Sequence, residues 1–183
     1  MPGRLDHVES VSFADSVQCA GYPPELYRYI EIAVRSTMDL LQIKRIRPDA
    51  TLPARKTAGS VGYDLAACLS GDVVIAPGET VMVGSGLAIA LAPGYAGFIY
   101  ARSGLGIKHG VIPANCVGVI DSDYRGEIIV GLKNTSGKPF TVRDGDRIAQ
   151  MVIARCELPE LVLCDDLDGT ARGDGGFGST GSG

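Results

Sequence analysis

The sequence predicts an all-β body, and two features of one long segment carry that expectation. From Ile43 onward, short apolar runs recur at close spacing: DVVI, TVMVG, LAIAL, YAGFIYA, VGVI, EIIVGL and RIAQMVIA. Between them lie the turn formers APGE, APGY, NTSGKP and RDGD, with little helical periodicity anywhere in the segment. Many short strands punctuated by Gly, Pro and Asp indicate an antiparallel sandwich or barrel. The body is assigned to residues 43–158.

Residues 1–42 follow a different pattern. The first 23 or so show no clear period, and then PPELYRYIEIAVRSTMDLLQ begins, with Pro24 as a helix-start proline. Leu26, Ile30, Ala33, Val34, Thr37 and Leu41 follow at helical spacing and draw one mostly apolar stripe. This predicts an amphipathic helix over about 24–42. Its stripe needs cover from the body, from a second copy of the chain, or from an unknown foreign partner.

Composition narrows the function. Hydrophobic residues are 45% and charged residues 21%, enough for a real core in a chain of 183 residues. The net charge of −4 speaks against a nucleic-acid or anionic-membrane surface, since binders of polyphosphate chains carry a basic excess. No direct nucleic-acid binding is expected. Cys19, Cys68, Cys116, Cys156 and Cys164 are odd in number and form no C-x-x-C pair, and His7 and His109 are the only histidines. A disulfide framework and a Cys- or His-rich metal cage are therefore not indicated, while hard oxygen ligands leave Mg²⁺ open. No apolar run reaches spanning length, and the N-terminus lacks a signal-peptide pattern. Asp6, Glu9, Asp15 and Glu25 are too many acids for a mitochondrial leader. A soluble, intracellular (cytoplasmic) protein is expected.

Residues 159–183 form a third region: LVL, then DDLD, then RGDGGFGSTGSG from Arg172 to Gly183. Ordering twelve such residues requires about 12–20 kcal/mol of favourable contacts. Burying the one aromatic ring, Phe177, returns about 2–3 kcal/mol. The segment cannot hold itself down. Its bare peptide N–H groups, with Arg172, Ser179 and Thr180, suit a phosphate, and Phe177 offers a stacking face for a nucleobase. It is not a Walker loop, because no Lys follows the glycines.

Two further segments carry chemistry. ARSGLG (101–106) sets Arg102 and Ser103 before two glycines, a compact set of anion-binding groups. ANCVGVIDSDYRGE (114–127) packs an Asn, two close carboxylates, a Tyr and an Arg into one hairpin. Paired carboxylates can activate water or hold a cation; alone, DSD reads more readily as a turn with solvated acids.

Taken in order, GSVGYDLAA, ARSGLG, ANCVGVIDSDYRGE, RIAQMV and RGDGGFGSTG resemble the five motifs of the trimeric dUTPase family. The resemblance covers about residues 43–181, and IKRIRPDATLPARKTAGS resembles that family's opening strand. It implies a distorted jelly roll of the β-clip type, assembled as a homotrimer with shared active sites. The implied reaction is dUTP plus water to dUMP and pyrophosphate with Mg²⁺ on the triphosphate. Such an activity limits uracil incorporation into DNA and supplies dUMP for thymidylate synthesis.

By this resemblance Asp121 is the general base acting on water, and Asp123 has no such role. Asn115 reads the uracil edge with the backbone of Gly118, Val119 and Ile120, and Tyr124 lies against the sugar and excludes a 2′-hydroxyl. Arg102, Ser103 and Gly104 hold the phosphates, with Gln150 helping through ordered waters. Asp64 and Gln150 reach the metal through water only. Arg172, Gly178, Ser179 and Thr180 close over the phosphates and Phe177 stacks on the base, which makes the tail a mobile lid. A dCTP deaminase shares the fold and the Arg-Ser segment, but YRGEIIV and the complete fifth motif favour the phosphohydrolase. A nucleotide-responsive regulator without catalysis is the remaining alternative.

Overall fold

The computed structural model describes residues 40–175, so the expected helix over about 24–42 lies almost wholly outside the described residues; of its expected end, residues 40 and 41 are not helical and Gln42 opens a strand. Within them the chain forms eleven strands and one short helix. In order these are β1 (Gln42–Arg45), β2 (Tyr63–Ala66), β3 (Val73–Ile75), β4 (Thr80–Gly84), β5 (Leu87–Ala90) and β6 (Tyr95–Tyr100). Then come α1 (Ser103–His109), β7 (Val111–Pro113), β8 (Gly118–Ile120), β9 (Ile129–Asn134), β10 (Phe140–Val142) and β11 (Arg147–Arg155).

All pairings are antiparallel, as expected from the short runs and tight turns. The largest sheet runs β2-β11-β6-β8; a second runs β4-β9-β7; β1 pairs β5 and β10 pairs β3. Two turns show how sequence sets this course. In APGE and APGY the proline presets the bend, and Gly78 and Gly94 take φ of 79° and 81°, where a side chain would be strained. The turns close with Glu79 N–H on Ala76 O at 3.0 Å and Tyr95 N–H on Ala92 O at 3.1 Å.

The core lies between the sheets, where Leu65, Ile75, Val83, Leu132, Ile148 and Met151 are fully buried. Among the described residues no helix is long and apolar enough to cross a membrane.

NTSGKP does more than turn the chain. Asn134 is wholly buried; its Nδ2 donates to Ile75 O at 2.9 Å and Lys138 O at 2.7 Å, and its Oδ1 accepts from Ser136 N at 2.9 Å. One side chain thus ties β3 to the β9–β10 connection. Asn134→Ala should lower stability by about 2–3 kcal/mol, because it takes a donor from the buried Ile75 carbonyl and unties the Lys138 carbonyl. Urea unfolding at unchanged slope checks this.

The helix corrects one expectation. The segment shows little helical periodicity, yet Ser103–His109 is α-helical despite Gly104 and Gly106. The glycines lower helix propensity, but Gly106 faces Ile112 so closely that a methyl there would sit 3.3 Å from its Cγ2. The C-cap at Gly110 donates to the carbonyls of Gly106 and Leu105 and ends the helix. Packing and capping override propensity.

Candidate active site

The first cluster is built by β2, β11 and the start of α1. Asp64 stands opposite Gln150 in the β2–β11 ladder, and a register shift between Arg147 and Ala149 turns Arg147 toward the same place. The Asp64 carboxylate accepts from Arg102 Nε at 2.6 Å and from Arg147 Nη1 at 3.1 Å. Arg102 also donates to the Arg147 carbonyl at 3.3 Å. Two guanidiniums share one carboxylate, so the cluster keeps a net positive charge suited to an anion. Gln150 Nε2 donates to Ala101 O at 2.9 Å and its side chain crosses Gly62, where a methyl would lie 2.7 Å from Oε1. Ser103 and Gly104 are exposed in the first turn of α1, which holds no acidic residue. A cavity of about 350 Å³ lined by Arg102, Gly104, Lys108 and Arg147 adjoins them.

The second cluster is the β8 hairpin. Asn115, Gly118, Val119, Ile120 and Tyr124 line one cavity of about 370 Å³, together with Glu127. The approach to β8 is a tight turn in which Cys116 takes a φ of 63°, the one positive φ at a non-glycine among the described residues. Gly118 packs so near Ile99 that a methyl would sit 3.1 Å from its Cβ. Asp121 follows Ile120 directly and is exposed to water. After it the chain turns, with Tyr124 N–H on Asp121 O at 3.2 Å. Arg125 Nη1 donates to the carbonyls of Ser122 and Tyr124 at 2.7 and 2.8 Å and closes that turn.

The two clusters occupy one sheet but not one cavity. Asp64, Gln150 and Tyr100 are successive partners across β2, β11 and β6, and Ile99, beside Tyr100, pairs with Gly118. Three strand spacings of about 4.8 Å put the β8 hairpin about 14 Å from Asp64. Of the tail, Arg172 is exposed and its Nε donates to Gly175 O at 2.8 Å. Phe177, Gly178, Ser179 and Thr180 lie outside the described residues.

No group of three or more His, Cys, Asp or Glu side chains converges among the described residues, and both Asp64 oxygens already face guanidiniums. That donor set does not form a cage. It fits a cation that brings its own waters and takes its direct oxygens from a phosphate chain, as Mg²⁺ does.

The family model for dUTPase matches residues 48–181, a span that contains all five segments. The chain belongs to the dUTPase family. The deoxyuridine 5′-triphosphate nucleotidohydrolase of Neisseria meningitidis serogroup B is 52% identical over 132 residues, 72% of this chain and 88% of that one. The corresponding protein of Hahella chejuensis is 49% identical over 140 residues, 76% of this chain and 92% of that one. Among solved structures, a variant dUTPase of Staphylococcus bacteriophage 80alpha with dUpNHpp superimposes with a TM-score of 0.72 at 26% identity. That superposition covers 79% of this chain and 99% of the phage protein. The β-rich body is thus a dUTPase fold, and residues 1–47 precede the matched dUTPase region.

Arg147 has no role legible in RIAQMV alone; its only signal there is a charged residue opening a mostly apolar strand. Glu127 in YRGE likewise carries no role that the residue pattern alone reveals.

Proposed function

We propose that this chain hydrolyses dUTP to dUMP and pyrophosphate. The observation that carries the reading is the dUTPase match across all five segments, in a fold that sets a cationic cluster and an amide-bearing cavity on one sheet.

In this reading Asn115, with the backbone of Gly118, Val119 and Ile120, pairs with the uracil edge, since an amide both donates and accepts. Tyr124 packs against the deoxyribose. Arg102, Ser103 and Gly104 hold the phosphates, joined by Arg172, Gly178, Ser179 and Thr180 from the tail, while Phe177 covers the base. Asp121 orients a water and takes its proton as the water oxygen attacks the α-phosphorus. The bond from that phosphorus to the bridging oxygen breaks, and pyrophosphate leaves with the bond's electrons. Placement and cationic stabilisation of the developing charge supply most of the rate. Bound Mg²⁺, reached by Asp64 and Gln150 through water, would neutralise triphosphate charge.

The separation of the two clusters favours a site completed by other copies of the chain, and we assign a homotrimer. Leu158, Leu161, Val162, Leu163 and Leu167 are 76–99% exposed in one extended segment, and such a strip calls for cover. Three jelly-roll domains (43–158) would share sites, with residues 159–183 as the closing arm and 1–42 as a helical extension outside catalysis. The assigned setting is intracellular.

Pyrophosphate release across the deoxynucleoside triphosphates and UTP, with ammonia release from dCTP as the control, tests the activity. Absence of dUTP turnover by the trimer would sink the reading. Sedimentation in dilute solution tests assembly, and a fully active monomer would end the shared-site assignment. Tyr124→Ala should lower the dUTP/UTP ratio of kcat/KM by about tenfold or more, since the ring's bulk is what meets a 2′-hydroxyl. An unchanged ratio would remove that role.

A further inference from the structure

We infer that Glu127 is a positioning residue for sugar selection, acting by anchoring the carbonyl to which Tyr124 is bonded. The inference rests on the assignment of Tyr124 to the deoxyribose and adds what fixes that ring in place.

Tyr124 projects from an exposed turn and is itself 45% exposed, so packing alone leaves its ring free to swing. Two contacts prevent that. Its hydroxyl donates to the Glu127 carbonyl at 3.0 Å. The ring also folds over Gly126, where a methyl would collide with the hydroxyl and sit 2.6 Å from Cζ. A glycine at 126 is therefore what allows the ring to lie back toward 127.

The bond to the Glu127 carbonyl restrains the ring only as far as residue 127 is itself held. Its side chain reaches the β4–β5 turn. There Oε1 accepts the Gly86 N–H at 2.7 Å, and the carboxylate lies so close over Gly84 that no side chain fits between them. The turn that receives it is itself tied down: Ser85 is fully buried, and its Oγ donates to Ile128 O at 2.8 Å. Ile128 N–H in turn donates to Leu87 O at 2.8 Å. The chain of contacts therefore runs from a buried turn through the Glu127 carboxylate to the Glu127 carbonyl and on to the phenol. Glu127 also lines the cavity that holds Asn115 and Tyr124, so movement of this residue is felt where the nucleoside sits.

The bond at Gly86 asks only for an acceptor oxygen at the end of a side chain of this length. A glutamine supplies one; an alanine does not. The test compares E127A, E127Q and Y124F as trimers, measuring kcat and KM for dUTP and UTP. E127A and Y124F should each raise KM for dUTP and lower the dUTP/UTP ratio of kcat/KM by about tenfold, with kcat changed far less. E127Q should retain the ratio. A role in general stability would lower the melting temperature without moving the ratio. Y124F tests the phenol–carbonyl bond, and E127Q decides for the Glu127 side chain should E127A fail to fold. If the parent enzyme is active and selective while a folded E127A or Y124F keeps its ratio, the inference is overturned. It is overturned also if E127Q matches E127A, since charge and not the acceptor would then be at work. A parent chain inert toward dUTP would instead fault the function proposed above.

Discussion

Asp121→Asn should bind a non-hydrolysable dUTP analogue nearly as well as the parent and turn dUTP over about 10²–10⁴-fold more slowly. The size follows from the role: an amide can still orient a water but cannot take its proton. The fold should not respond, because Asp121 is exposed at the end of β8 and the turn after it uses its carbonyl, which the substitution keeps. Single-turnover kinetics separates the chemical step from binding and release, and thermal melting checks the fold. Near-normal turnover would return DSD to the status of an ordinary acidic turn and leave the water without its assigned base.

The body was legible where apolar runs were long enough to show a pattern. TVMVG, LAIAL and YAGFIYA became β4, β5 and β6, and RIAQMVIA became β11. Three of the elements of three or four residues escaped, because nothing in so short a stretch set them apart. Phe140–Val142 lies between two turn motifs and makes three residues of ladder with β3. Val111–Pro113 ends on a proline, and Tyr63–Ala66 carries an Asp in its middle. The helix Ser103–His109 escaped for a different reason, since its two glycines oppose the conformation that capping and contact with Ile112 impose.

For the site, residue types within each segment suggested the chemistry, and the dUTPase resemblance joined the segments. The sharing of Asp64 between Arg102 and Arg147 depends on the β11 irregularity that turns Arg147, and a one-residue register shift leaves no trace in composition or spacing. The distance between the two clusters is likewise a property of strand order, β2-β11-β6-β8, which no local pattern encodes.

Ending the chain at Ala171 should cut turnover by about 10²–10⁴-fold while leaving the ligand-free melting temperature nearly unchanged. The structure supports the second half directly. Residues 169–174 are exposed, and their hydrogen bonds are local: Gly173 N–H to Thr170 O at 3.1 Å, Gly175 N–H to Arg172 O at 3.1 Å, and Arg172 Nε to Gly175 O at 2.8 Å. The described tail therefore lends the β-sheets nothing that its removal would take away. The first half follows from magnitudes. Two charge-assisted bonds to phosphate, at about 1.5–3 kcal/mol each, sum to about 3–6 kcal/mol. If they form fully only as the site closes, the rate falls tenfold for each 1.4 kcal/mol or so. Phe177→Ala should do less harm, because it removes stacking of about 1–3 kcal/mol and keeps the donors. The measurements are kcat and kcat/KM for both variants beside melting curves with and without a dUTP analogue and Mg²⁺. Ligand should raise the melting temperature of the full-length enzyme more than that of the truncated one. A truncated enzyme with full activity would show that RGDGGFGSTGSG closes over nothing.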